Sequence, residues 1–122
     1  MLYMLLIYSQ ETEGGPSHDV AEQAIQAHQA FMDETRDKGV LRGLAALRST
    51  ASATTVRSRD GKKITLDGPF AETKEQLAGY YLLDCENLDE ALEWAKRLPS
   101  SCKGGEGCVE VRPVSDFPPP MV

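Results

Sequence analysis

Two short segments, Leu2 to Tyr8 and Leu77 to Cys85, are apolar almost without interruption, aromatics included. Neither is long enough for an amphipathic helix, and neither alternates as a half-solvated strand would. Each reads as a β-strand buried on both faces. The rest of the chain offers only two helical stretches, which shield one side of a sheet. Something must cover the other side, and a second copy of the same sheet is the simplest cover. The pattern therefore predicts a symmetric dimer.

The segments between these strands complete the order. Glu11 to Pro16 is a polar, glycine-rich loop. Ser17 is placed to cap a helix with Asp19 in its first turn, and the helix runs to about Lys38, where Gly39 stops it. At 100° per residue, Val20, Ala21, Ala24, Ile25, Ala27, Phe31 and Met32 fall on one arc and the charged residues opposite. His28 lands in the middle of the apolar arc, so it faces the sheet. Val40 to Leu47 reads as a strand with Gly43 as a bulge or close approach. Thr54 to Arg59 and Lys62 to Leu66 are joined by Asp60-Gly61, a two-residue hairpin signal. After the turn Asp67-Gly68-Pro69 comes the second apolar strand. Asn87 and Glu90 form a capping arrangement for a helix carrying Leu88, Ala91, Leu92, Ala95 and Leu98, which ends before Pro99. Cys108 to Val114 is the last strand. The tail Phe117-Pro118-Pro119-Pro120 cannot continue a sheet.

The order β-α-β, hairpin, β-α-β suits an α+β fold, a ferredoxin-like antiparallel sheet with two helices on one face and an inserted β-hairpin. With 122 residues, the chain is one domain over residues 1–115, followed by the proline-rich tail 116–122.

Charge and cysteine content exclude several classes. The formal net charge of −6, without a Lys/Arg cluster, argues against nucleic acid and against anionic membranes. No apolar run reaches the roughly 18 residues of a membrane span. The first strand lacks the charged start of a signal sequence, so the protein reads as cytoplasmic. Cys85, Cys102 and Cys108 are odd in number and lack C-x-x-C spacing, which suits reduced thiols better than a disulfide framework or zinc site. Cys102 and Cys108 could still meet across the loop between them. There is no dinucleotide fingerprint, P-loop or metal cluster, so no cofactor is expected.

His28 is the histidine at a telling position. His18 lies about 15 Å away along a continuous helix at 1.5 Å per residue, so one metal cannot bridge the two. An imidazole near neutrality accepts and returns protons when a carboxylate orients it beside a cavity. Asp67, at the end of the hairpin, is the candidate carboxylate, with Glu72 as runner-up. Each has a structural alternative: His28 as a core histidine donating to a backbone carbonyl, Asp67 as a turn residue bonding nearby amides. Tyr80 and Tyr81 point to opposite faces of their strand. One packs under a helix and the other lines the space between paired sheets. Phe70 anchors its loop or caps a pocket entrance. Phe70, Glu72, Tyr80 and Tyr81 are the candidate ligand-contacting residues.

The run Asp67-Gly68-Pro69-Phe70-Ala71-Glu72-Thr73-Lys74-Glu75, leading into the aromatic strand, resembles the DGPF branch of the YCII-related proteins. The likeness extends over Met4-Leu5-Leu6-Ile7-Tyr8, Lys38-Gly39-Val40-Leu41, Ala53 to Arg57, Leu88 to Ala95 and Val109 to Val114, nearly the whole chain. The resemblance implies a dimeric α/β barrel, two ferredoxin-like sheets facing one another. It also implies a His–Asp acid/base pair, since His28 matches a helix position where wider-family members carry histidine. Some DGPF proteins occur alongside extracytoplasmic-function sigma factors. Two departures stand out. The loop Ser100 to Gly107 is longer and richer in glycine, and the second strand reads Arg42-Gly43-Leu44 where relatives carry glycine and an acidic residue.

Three functional readings follow. One is cofactor-free proton chemistry on a small molecule, with His28 as base and Asp67 as orienter. A second is a non-catalytic binding or regulatory module, partnered by a sigma factor or another regulatory protein. In the third, the polar residues serve the fold alone.

Overall fold

The computed structural model describes residues 1–11, 14, 15, 17–99 and 107–121. The elements follow the order β1 (Leu2–Ser9), α1 (His18–Asp37), β2 (Leu41–Ala46), β3 (Thr54–Arg59), β4 (Lys62–Asp67), β5 (Gln76–Asp84), α2 (Leu88–Ala95) and β6 (Gly107–Pro113). A 3₁₀ turn at Thr50–Ser52, which no periodicity announced, precedes β3. Four strands pair antiparallel in the order β2-β5-β1-β6, and β3-β4 form a separate two-stranded ribbon. This is the expected α+β architecture, with the hairpin inserted between the two β-α-β halves.

The two apolar segments become the central strands β5 and β1, which explains their composition. Along β1, Tyr3, Leu5 and Ile7 are buried while Leu2, Met4, Leu6 and Tyr8 are only half-buried. The buried set packs with Phe31 of α1, Tyr81 and Leu83 of β5, and Ala91, Trp94, Ala95 and Leu98 in and after α2. Both helices therefore cover the same face of the sheet. Fully burying a side chain such as Leu5 or Leu83 contributes about 1.5–3 kcal/mol. On the opposite face the register aligns Met4 with Leu82 and Leu6 with Tyr80. Leu82 is buried there without belonging to the core beneath the helices.

Local chemistry sets the boundaries. The Ser17 hydroxyl accepts from the Val20 amide at 3.4 Å. At the other end of α1, Gly39 takes φ +73°, its amide donates to Arg36 and the Val40 amide donates to Thr35. That pair of bonds satisfies the last carbonyls and turns the chain into β2. Asn87 caps α2 by accepting from the Glu90 amide at 3.0 Å. The Glu90 carboxylate accepts from the Glu86 amide, one residue before the expected partner. Asp60 and Gly61 take φ of 52° and 76°, the conformation that a two-residue hairpin requires.

The apolar arc of α1 needs correction. Ile25 is 68% exposed and Ala27 is also exposed, whereas Thr35, a residue the hydrophobic pattern passes over, is fully buried. Its hydroxyl donates to the Phe31 carbonyl at 2.8 Å, and this internal bond permits a polar residue in the core. Across the helices, Arg97 lies 4.8 Å from the Trp94 ring centre and donates to Glu34 of α1 at 2.6 Å. Beyond Val114 the described chain has no helix or strand.

Candidate small-molecule site

A cavity of about 430 Å³ lies between α1 and the β2–β5 side of the sheet. It exists because facing positions carry small side chains: Ala24 on the helix, Ala46 on β2, Ala78 and Gly79 on β5. Glycine at position 79 is obligatory. A Cβ there would stand 2.5 Å from the Ala45 carbonyl oxygen. The register of β1 against β5 slips next to Gly79, between Ile7 and Tyr8, which offsets the strands where the cavity floor forms. Ile25 and Met32 of α1 and Leu44 and Leu47 at β2 supply most of the remaining apolar surface. The exposure of Ile25 is thus the rim of this cavity.

Polar groups are few. His28 projects from α1, and its Nδ1 lies 2.8 Å from the Tyr81 hydroxyl. The two rings are nearly parallel, at 12°, with centres 5.9 Å apart. Phe31 packs edge-on against Tyr81, with ring centres 4.7 Å apart. Burial holds the His28 imidazole below its ordinary value of 6.5 and pushes the Tyr81 phenol above its ordinary value. Both groups are therefore uncharged at neutral pH, and one proton is shared along the Nδ1–hydroxyl bond. No buried side-chain nitrogen or oxygen among the described residues lacks a partner. The Nε2 of His28 has no hydrogen-bond partner among the described residues and is therefore not sealed in the core, and His28 is part of the cavity wall.

The structure distributes the remaining candidates over other places. Tyr81 is 4% exposed, faces the helices and contacts His28. Tyr80 also touches the cavity, but strand alternation assigns its side chain to the uncovered face. Asp67 ends β4 opposite Thr54 on the separate ribbon and is not part of the cavity wall. Its turn is held by the Gly68 amide, which donates to the Ala53 carbonyl at 2.7 Å, and by Thr55, whose hydroxyl donates to the Gly68 carbonyl. Phe70 is 75% exposed and its carbonyl accepts from Arg57. Glu72 is exposed and outside the cavity wall. The cavity thus brings together His28 and Tyr81, is touched by Tyr80 on its strand, and leaves out Asp67, Phe70 and Glu72. The departure at Arg42 also finds its place: its guanidinium pairs with Asp84 of β5 at 3.3 Å, outside the cavity. The pairing of Cys102 and the loop Ser100 to Gly107, up to residue 106, lie outside the described residues.

The YCII-related domain matches residues 1–118. The chain belongs to the YCII-related family. It is also 41% identical over 120 residues to an uncharacterised protein of Rhizobium meliloti (strain 1021), covering 98% of this chain and 96% of that one. No helix among the described residues is long and apolar enough to cross a membrane. Among the same residues, no cluster of His, Cys, Asp and Glu is arranged to hold a metal ion.

Helical periodicity turns His28 toward the sheet, but no local pattern in the sequence joins it to Tyr81. The signal was available in part. Strand alternation offers Tyr80 or Tyr81 to the helix, and His28 faces the sheet. Which tyrosine meets it depends on the register slip at Gly79.

Proposed function

We propose that this YCII-related protein binds a small molecule in the cavity beneath α1 and exchanges a proton with it through His28. The observation that carries this reading is the His28–Tyr81 pair. One ring nitrogen lies 2.8 Å from a buried hydroxyl, and the residue that carries the other lines an apolar cavity. When Nδ1 carries the ring hydrogen and donates to the Tyr81 oxygen, the Nε2 of this neutral imidazole is a ready proton acceptor. The chemistry that fits is isomerisation, elimination or addition on a small organic molecule.

The functional unit of this reading is a symmetric homodimer. The face that the helices leave uncovered carries Met4, Leu6, Tyr8 and Leu82 at its centre. Glu110 and Arg112 of β6 flank it, since Val109 and Val111 point into the core. A two-fold axis through such a face lets the acidic residue of one copy meet the basic residue of the other.

One observation favours a non-catalytic variant of the same reading. The ring partner of His28 is the Tyr81 hydroxyl, and among the described residues no carboxylate is hydrogen-bonded to it to stabilise an imidazolium. Isotope exchange separates the two variants. Incubating bound ligands in deuterated water should give solvent-derived label at an acidic C–H position, and His28→Gln should abolish labelling while retaining binding. Binding without exchange in the unaltered protein assigns a sensing or carrier role, and absence of ligand binding overturns both.

A further inference from the structure

The walls of the cavity determine which chemical class it accepts. Among the described residues that line it, none is Lys, Arg, Asp or Glu. A carboxylate, phosphate or ammonium group entering it would lose hydration and find no opposite charge on these described walls, a cost of several kcal/mol. The volume of about 430 Å³ falls within the roughly 300–1,000 Å³ of small-molecule sites, whose linings are mostly apolar with a few converging polar groups. The apolar walls include Met32, whose unbranched side chain adapts to different shapes.

The polar end has a property that an isolated histidine lacks. When the Tyr81 hydroxyl donates to Nδ1, the His28 Nε2 carries hydrogen and donates to a ligand carbonyl. When Nδ1 carries the hydrogen and donates to the Tyr81 oxygen, Nε2 accepts from a ligand hydroxyl. The pair thus meets either group without any charged species. Resting on the reading of this cavity as a small-molecule site, we infer that it selects an uncharged, largely apolar molecule bearing one hydroxyl or carbonyl seated on His28 Nε2. It discriminates against carboxylates, phosphates and ammonium compounds of the same size.

A matched series tests this: 2-naphthol, 2-naphthoate and 2-naphthylmethylammonium titrated into the full-length protein at pH 7.5, followed by backbone and His28 ring NMR shifts. Binding of 2-naphthol at least tenfold tighter than either charged analogue, with His28 Nε2 shifting, is the expected result. The Leu44→Trp variant should weaken 2-naphthol binding at least tenfold by filling the mouth. Ala24→Trp provides the same block from the helix side should the strand variant not fold. Equal or tighter binding of 2-naphthoate overturns the assigned class while leaving a small-molecule site in place. Failure of all three compounds to shift cavity resonances at millimolar concentration overturns the site itself. Binding of 2-naphthol that survives both folded blocking variants places it elsewhere and also overturns the inference.

Discussion

The Nδ1 of His28 and the hydroxyl of Tyr81, 53 residues apart in the chain, meet at 2.8 Å across the interface between α1 and β5. Tyr81 is held in turn by Phe31, which packs edge-on against Trp94 at 5.9 Å. Three aromatic residues of the core thus fix the polar end of the cavity. Tyr81→Phe keeps the ring and removes the bond. Loss of one such hydrogen bond costs about 0.5–1.5 kcal/mol, measurable by urea unfolding. The tautomer ratio of the His28 ring should shift in long-range ¹H–¹⁵N spectra. An unchanged tautomer pattern would show that the hydroxyl does not select it.

Burial lowers the His28 value from 6.5, so the unfolded chain binds this proton more readily than the native one. The contribution of neutral His28 is complete above pH 6.5 and is lost as pH falls from there toward the lower native value. Glu11 and Asp84 are also depressed, from 4.5 by the Thr50 amide and from 3.8 by the amino terminus, and act in a more acidic window. Urea unfolding at pH 7.5 and pH 5.5 should show a loss of stability in the native sequence that is smaller in His28→Gln. Equal losses would mean that His28 titrates alike in both states.

The architecture was legible in the sequence because its determinants are local: Ser17 and Gly39 bracket α1, Asp60-Gly61 makes the hairpin, and the two-sided apolar runs are the central strands. The site was legible only in part. His28 follows from helical periodicity, whereas its partner depends on a strand register that no local signal specifies. The Asp67 segment is distinctive for another reason. Gly68 at φ +99° and Pro69 form a turn tied to Ala53, so much of its composition serves the base of the ribbon. The solvent-exposed Ile25 shows the same limit, because an apolar arc marks what can be buried and not what a cavity leaves open.

Gly79 tests how the cavity floor is built. Its missing side chain allows β2 to approach β5, with the Ala45 carbonyl oxygen 2.5 Å from where a Cβ would stand. Backbone atoms cannot yield as a flexible side chain can. Gly79→Ala should cost about 1–3 kcal/mol, the usual penalty for overpacking, and shift the amide resonances of Ala45 and Ala46 more than those of β6. A thermal midpoint equal to that of the native protein would contradict the close approach.

Cys85 provides an independent probe of the core. It is 2% exposed, and burial together with the Glu90 and Asp84 carboxylates pushes its thiol up from 9.0 to about 11. Only the thiolate reacts, so at pH 8 a rise of this size lowers the reactive fraction on the order of a hundredfold, before access is considered. In a Cys102→Ser, Cys108→Ser double variant, the remaining thiol should react with a disulfide reagent slowly in buffer and rapidly in denaturing urea. Rapid reaction in buffer would place Cys85 outside the core.

The uncovered sheet face gives the last prediction. Leu6 lies at its centre, aligned with Tyr80 on one side and Glu110 on the other, and its substitution leaves the packing beneath the helices untouched. Leu6→Glu should dissociate the proposed homodimer, because its carboxylate would be buried at the contact beside the like charge of Glu110. Sedimentation at micromolar concentration should show twice the monomer mass for the native protein and the monomer mass for the variant. Cys108 reports on the same contact. It is exposed in the single chain and aligned with Tyr8 on this face. In a Cys102→Ser background, its reaction with a thiol reagent should slow as protein concentration rises. A native protein that sediments as a monomer, with Cys108 reacting at one rate throughout, would leave the cavity reading standing and remove the dimer from it.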